Sequence, residues 1–284
     1  MAIEKKLSSS IIKLLITSVV LTMVDDRGNT PLIHTLQTKS CIDVIELLIT
    51  PESLSIKDSN GKKPLYVAIN KNISASIIKL FITPEILTMV DDEGNTPLLY
   101  SLGSGLCIEN IKLLITPEVL LIKNNNGDTP LMMVLNKKSG NIEIIKSLVT
   151  PEVLTTKDKN GYIPLHKALN YGYKDIEIIK LLITPKMLSD NNTPLHAALQ
   201  NNLSVETIKL LITPEALTIH NNDSNTPLHT ALQNKLSVDI IKLLITPEAL
   251  IIKNNYCNIP LHIALHAFYV IEIIKLLITP EALT

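Results

Sequence analysis

Four histidines fall at one phase of this chain: His166, His196, His229 and His262, spaced 30, 33 and 33 residues apart. A column of imidazoles could hold metal ions. One ring per period, however, leaves neighbours roughly 10 Å apart, the spacing of packed helices. Zinc ligands all lie about 2 Å from one ion. The column therefore reads as structural, each ring buttressing the neighbouring turn. His262 and His266 are four residues apart, with Cys257 just upstream. This is the one local set with metal-ligand spacing, but it lacks a fourth ligand and an acidic helper, and no metal site is assigned. A lysine recurs at another phase (Lys112, Lys146, Lys180, Lys209, Lys242, Lys275), with an acid three residues before each. Alone it would be a basic ladder for a phosphate backbone. The interleaved acids cancel the charge, so the ladder reads as a solvated helix face of i, i+3 pairs. Gly103-Ser104-Gly105 is too short for a phosphate loop and follows no strand. It reads as a turn between helices. No Ser/His/Asp or Cys/His set converges, so no catalytic or cofactor-binding residue is assigned and an enzyme is not expected.

The elements that must position these residues are set by proline. All 16 prolines fall at two phases of a repeat of about 33 residues, beginning with Pro31 and Pro51. Such self-similarity marks a stacked-repeat protein, which works through an extended surface more often than through a pocket. In Asn225-Thr226-Pro227-Leu228-His229, Thr is a good helix cap and Pro suits the first helical position. A first helix of about two turns is expected there. Val238 to Thr246 should form a second helix, apolar over more than half its circumference. Thr246-Pro247-Glu248 stops that helix and starts one short helical turn. A polar Asp/Asn turn then leads to the next unit. Glycine stands three residues before the proline in five units (Gly28, Gly61, Gly94, Gly127, Gly161), where a left-handed turn is expected.

Thr193-Pro194-Leu195-His196-Ala197-Ala198 and Thr226 to Ala231 resemble the first-helix motif of the ankyrin repeat family. The Ile-x-Leu-Leu second helix, the Gly-x-Thr-Pro turn and the period of about 33 residues extend the resemblance over the whole chain. The sequence departs from the family in two ways. Ile33, Tyr66, Leu99 and Met132 stand at the histidine position of the first four units, and Pro-Glu replaces the usual Gly-Ala hairpin entry. The expected fold is therefore an all-α, ankyrin-like α-solenoid of helix-turn-helix repeats, with short helical turns and little or no β-hairpin. It would be a single repeat domain over 1–284: a half-unit 1–24, then eight units beginning near 28, 61, 94, 127, 161, 191, 224 and 257. The junction 184–193 is short, lacks the turn glycine and should be tight or kinked.

The resemblance implies a curved stack whose turn tips and first helices form a concave partner-binding face. Candidate contact residues on or beside that face are His34, Tyr100, Met133, Tyr162, Lys167, Tyr171, Tyr256 and His266. The rest of the column following Thr-Pro-Leu-x (Val67, Ala197, Thr230 and Ile263) varies as a recognition surface would. The reading is a non-catalytic protein–protein interaction scaffold. The alternatives are a structural module that self-associates end to end through its C-terminal repeat, or an accessory segment of a longer protein.

Bulk properties fit this reading. Net charge is -1, there is no Trp, and aromatics are 3%, which argue against nucleic-acid binding. No run of 18 apolar residues is present, so no membrane partner is expected. The apolar N-terminus repeats as internal sequence (Leu21 to Asp26 recurs as Leu87 to Asp92) and so reads as repeat and not as a signal peptide. Cys41 and Cys107 lie two repeats apart, too far for a disulfide. With Cys257 they read as reduced thiols of a cytoplasmic protein. The Ile, Asn, Lys and Leu bias fits an AT-rich genome. Ankyrin-like proteins of this flavour resemble those of large DNA viruses and intracellular microbes, which would place the chain in host cytoplasm.

Overall fold

The computed structural model describes residues 13–38, 42–136, 140–184, 193–267 and 269–278. Contacts divide the chain into two compact units. The N-terminal unit is Met1–Val134 with Glu143–Leu148, and the C-terminal unit is Leu135–Ile142 with Val149–Thr284. The short junction over 185–192, Cys41, and the chain ends at 1–12 and 279–284 lie outside the described residues.

The first helix of each repeat starts where Thr-Pro places it. In Pro31–Gln37, Pro97–Ser104, Pro194–Gln200 and Pro227–Gln233, the preceding Thr accepts the free N–H of the third helical residue through its hydroxyl. This bond satisfies one of the donors that every helix start leaves open. Lys63 and Ile163 replace the Thr before Pro64–Asn70 and Pro164–Asn170, and those helices lack the side-chain cap. Gly103 and Ser104 prove to be helical, the last two residues of Pro97–Ser104, and Gly105 caps the end at φ 75°. The turn expected over all three residues starts only at Gly105. The helix continues because neither residue breaks its hydrogen bonding.

The second helices repeat one burial pattern. In Val238–Leu244, Ile240, Ile241 and Leu244 are buried while Lys242 is exposed. Ile144, Ile145 and Leu148 do the same in Ile142–Leu148, as do Ile178, Ile179 and Leu182 in Ile176–Leu182. An i, i+1, i+4 stripe is what a helix buries when it packs on one side. After four of the described second helices, Thr-Pro-Glu starts a short α-helix: Pro51–Ser55, Pro84–Thr88, Pro151–Thr155 and Pro247–Ile251. Pro117–Val119 is 3-10, and residues 214–218 form turns without a helix. No strand occurs among the described residues.

Packing follows the repeat in each unit. In the N-terminal unit, Pro31–Gln37 packs on Pro64–Asn70, which packs on Pro97–Ser104. In the C-terminal unit, Pro164–Asn170, Pro194–Gln200, Pro227–Gln233 and Pro260–His266 stack in that order. The second helices Ile176–Leu182, Val205–Leu211, Val238–Leu244 and Ile271–Leu277 form a parallel row beside them. The result is one buried apolar layer per repeat, at full burial for Leu195, Leu199, Ile208, Leu228, Leu232 and Ile241.

Candidate protein-interaction face

The turn between repeats is built around one Asp or Asn. In the N-terminal unit, the Asp91 carboxylate accepts the N–H groups of Glu93 and Asn95 at 3.0 and 2.9 Å, and its own N–H donates to the Asn95 carbonyl at 3.0 Å. The Gly94 N–H closes back on the Asp91 carbonyl at 3.0 Å. Asp25, Asp58 and Asn124 repeat these bonds in that unit, and Asp158, Asn221 and Asn254 in the other. One side chain thus does locally what a hairpin ladder would do. The Thr-Pro-Glu repeats therefore keep the tip without strands. The fourth residue of each turn has positive φ. It is Gly28, Gly61, Gly94, Gly127 and Gly161, then Ser224 at 57° and Cys257 at 59°.

Two pairs of successive tips are bonded to each other. Asn125 donates its N–H to the Glu93 carbonyl at 3.0 Å and its side-chain amide to the Asp92 carbonyl at 3.1 Å. Asn255 does the same toward Asp223 and Asn222 at 3.2 and 3.4 Å. Below them, buried Asn124 and Asn254 reach the side chains of Asn95 and Asn225.

The histidine position supplies the next layer of joints. His196 Nε2 lies 2.9 Å from the Asn225 carbonyl, and His229 Nε2 lies 2.9 Å from the Asn258 carbonyl. Their Nδ1 atoms face the hydroxyls of Thr193 and Thr226 at 2.9 and 2.7 Å. A carbonyl only accepts, so Nε2 carries the proton and Nδ1 receives one from threonine. Burial is the main force holding the His196 ring neutral, down to about 4, against a smaller opposite pull from the Asn225 carbonyl; burial lowers His229 in the same way. In the N-terminal unit Tyr66 makes the same joint. Its hydroxyl lies 2.7 Å from the Asn95 carbonyl and 3.0 Å from that of Met89. Asn95 is 29 residues beyond Tyr66, the same offset as His196 to Asn225. Burial, followed by the nearby Asp91 charge, drives the Tyr66 phenol upward, so it stays a donor.

Tyr66 belongs to a knot that sequence reasoning missed. Its ring meets Tyr100 edge-on at 5.2 Å, and the Lys62 ammonium lies 4.5 Å over the Tyr100 ring while bonding Asp91 at 3.1 Å. Burial opposes ionisation of Asp91, but the Asn95 N–H and the Lys62 ammonium outweigh it and hold the carboxyl below its usual range. The signal was available: Lys62 and Tyr66 are four apart across the start of Pro64–Asn70, beside the turn phase. The C-terminal unit has a simpler counterpart, Lys167 bonding Asp158 at 2.8 Å, with the Tyr162 ring 5.6 Å from His166.

The eight candidate contact residues fall in three places. Tyr162 and Tyr256 are in turns, and Tyr256 is exposed at 74%. His34, Tyr100, Met133 and Lys167 are half-buried at mid-helix positions. Tyr171 and His266 are exposed at the opposite helix ends, away from the turns. Others of the same mid-helix column, Val67, Ala197 and Thr230, are buried. The more exposed varying positions are the two tip residues after each brace, such as Asp92-Glu93, Asn125-Asn126, Lys159-Asn160, Asn222-Asp223 and Asn255-Tyr256.

The lysine row behaves differently from the i, i+3 reading. Lys180 bonds Glu177 within its helix at 3.1 Å, but Lys112 reaches Glu143 and Lys242 reaches Glu272 on the next second helix, at 3.0 and 2.9 Å. The acid of the next layer is as near as the one a turn back, and a flexible lysine can take either. Cys107 and Cys257 are free thiols. Among the described residues, no group of three or more His, Cys, Asp or Glu is placed to hold a metal ion. No helix there is long and apolar enough to cross a membrane.

Proline-started helix pairs, side-chain-braced turns and carbonyl-capping histidines define a class, the all-α repeat proteins of ankyrin type. Residues 133–218 and 201–283 match the family described as Ankyrin repeats (3 copies). These stretches run together over more than half of the 284 residues, and the chain belongs to the ankyrin repeat family. No curated protein matches it by sequence. Among solved structures, it is similar to the crystal structure of the ankyrin repeat domain of Bcl-3, described as a unique member of the IkappaB protein family. That alignment has a TM-score of 0.60 and 20% identity, and covers 76% of this chain and 98% of that one. At that identity the likeness is one of fold.

Proposed function

We propose that this chain is a non-catalytic scaffold that binds a partner protein along its turn tips and the adjoining first helices. Ankyrin repeats are in general protein–protein interaction modules, and membership of the family supports the class. The observation that carries the reading is the construction of the tips. Each is pinned by its own Asp or Asn brace, and two successive pairs, at Asp92 with Asn125 and at Asn222 with Asn255, are bonded to each other as well. The two residues each tip presents differ from repeat to repeat. A frame that is already ordered loses little entropy on binding, and an exposed tyrosine such as Tyr256 is a suitable anchor. The partner is a protein, and the surroundings proposed are cytoplasmic.

The test is a pull-down from cytosolic lysate with mass spectrometry, using wild type and a variant carrying Lys159→Ala, Asp223→Ala and Tyr256→Ala. All three side chains are exposed, so the variant should keep the wild-type circular dichroism and unfolding midpoint. A protein recovered by the wild type and lost by the folded variant supports tip binding. One retained equally by both rejects it.

A further inference from the structure

We infer that the repeat joints made by His196 and His229 are an acid-sensitive device, so that mild acid loosens the C-terminal unit while the equivalent joint of the N-terminal unit holds.

The inference starts from the proton inventory of each ring. Both rings are fully buried and both use both nitrogens. Nε2–H donates to a backbone carbonyl of the next repeat. Nδ1 accepts, and at His229 it faces two donors, the Thr226 hydroxyl and the Thr226 N–H at 3.3 Å. A second proton can go only to Nδ1. There it would oppose the Thr226 N–H and ask for a lone pair on a hydroxyl that already receives the His229 N–H at 3.4 Å. A charged ring would thus be buried facing a donor, which costs more than the same ring in water.

The surroundings give no compensation. The titratable groups acting on His196 are His220 and His229, and the one acting on His229 is His220. Each is another base, so protonating one makes the next harder. The other groups bonded to the two rings are threonines and backbone carbonyls. His220 stands on the turn segment with Nδ1 3.2 Å from the Ser224 carbonyl and is exposed.

The N-terminal unit lacks this liability. Its joint uses the Tyr66 hydroxyl, which stays protonated in acid, and Ile33, Leu99 and Met132 occupy the same position as fully buried apolar side chains. His34 stands one residue later on its helix, outside the joint, and near Asp25.

The direction in pH follows from linkage. Both rings prefer to be neutral when folded, so their stabilisation is complete above about 6.5, the pKa of an exposed imidazole. It is lost as pH falls from there, for His196 down toward about 4. A ring that titrates at 6.5 when exposed and at about 4 in place lowers the closed-to-open ratio about 30-fold at pH 5.

The experiment is amide hydrogen exchange by mass spectrometry on the full chain at pH 7.5 and pH 5. Rates are converted to protection factors so that the chemistry of exchange cancels. Peptides spanning 194–211 should lose protection on the order of 30-fold at pH 5, and those spanning 227–244 should lose it in the same direction, while those spanning 64–79 and 97–113 change by no more than a few-fold. A His196→Gln, His229→Gln variant keeps a donor for the carbonyl but does not titrate, so its C-terminal peptides should show no such drop. Equal loss in both units, or a drop that survives in the folded variant, would overturn the inference. Should the variant not fold, ring-proton NMR of the wild type decides: two buried rings still neutral well below pH 6.5 support it, and midpoints near 6.5 reject it.

Discussion

The two units reach one backbone by different residues. Every described turn between repeats in the N-terminal unit places glycine at its left-handed position: Gly28, Gly61, Gly94 and Gly127. The C-terminal unit uses Gly161, then Ser224 and Cys257 at the same φ. At the first-helix position the units trade the other way. The N-terminal unit fills it with Ile33, Tyr66, Leu99 and Met132, and the C-terminal unit with hydrogen-bonded His196 and His229. The turn is therefore specified mainly by its Asp or Asn brace and by the bonds between tips, since these persist where glycine does not. The helix position is specified by filling volume, and a polar joint is added wherever the side chain can reach the carbonyl 29 residues on.

Leu99→Ala should break the N-terminal pattern most. Leu99 is fully buried, and its truncation should cost about 2–5 kcal/mol, independent of pH between 5 and 8. Urea unfolding followed by circular dichroism reads this, the chain having no Trp. Gly94→Ala comes next. A Cβ there would lie 2.6 Å from the Asn125 side-chain oxygen and 2.9 Å from the Asn125 nitrogen, at φ +74°. The loss should exceed about 2 kcal/mol, whereas Gly161→Ala, open around its Cβ at φ +81°, should lose only the left-handed strain of about 1–2 kcal/mol. Equal costs at the two sites would mean that contact between tips contributes nothing.

Tyr66→Phe should cost about 1–2 kcal/mol by leaving a buried carbonyl without its donor. A neutral result would show that the N-terminal joint is packing alone. Cys257→Gly should gain up to about 1 kcal/mol by relieving positive φ, seen as a higher urea midpoint. No gain would mean that the Asn254 brace already offsets that strain. The smallest effect belongs to Lys112→Ala and Lys242→Ala, both half-exposed in their ion pairs. Each should shift stability by less than about 1 kcal/mol, less still in 0.5 M salt.

Much of this was legible in the chain. Pro227 and Thr226 mark a helix start that needs no tertiary information, because cap and φ restraint are local. The same holds for the short helix after Thr246. Ser224 and Cys257 escaped notice as left-handed residues because residue type suggests that conformation only for glycine. Their phase, three before the proline, was the available signal. Tyr66 escaped as a substitute for histidine because the match is one of reach. The longer phenol attains the Asn95 carbonyl from the position an imidazole would take. The lysine partners were misassigned because a pattern in sequence reports the distance along a helix and says little of the distance to the next layer. On the candidate face, Tyr256 is exposed, as a turn-tip tyrosine is. Residue type could not show that a mid-helix neighbour column such as Val67 and Thr230 would be covered by the next repeat.

The offset of the joints has a genetic consequence. His196 meets Asn225, and His229 meets Asn258, both 29 residues ahead. Excising residues 201–233 would bring Asn258 to the place of Asn225, and His196 would find the same carbonyl. Gain or loss of one whole repeat thus leaves every surviving joint intact, while a single inserted residue would misalign one. Repeat number can therefore drift by recombination between near-identical stretches while the fold is kept, and the length of the binding edge can change in one step.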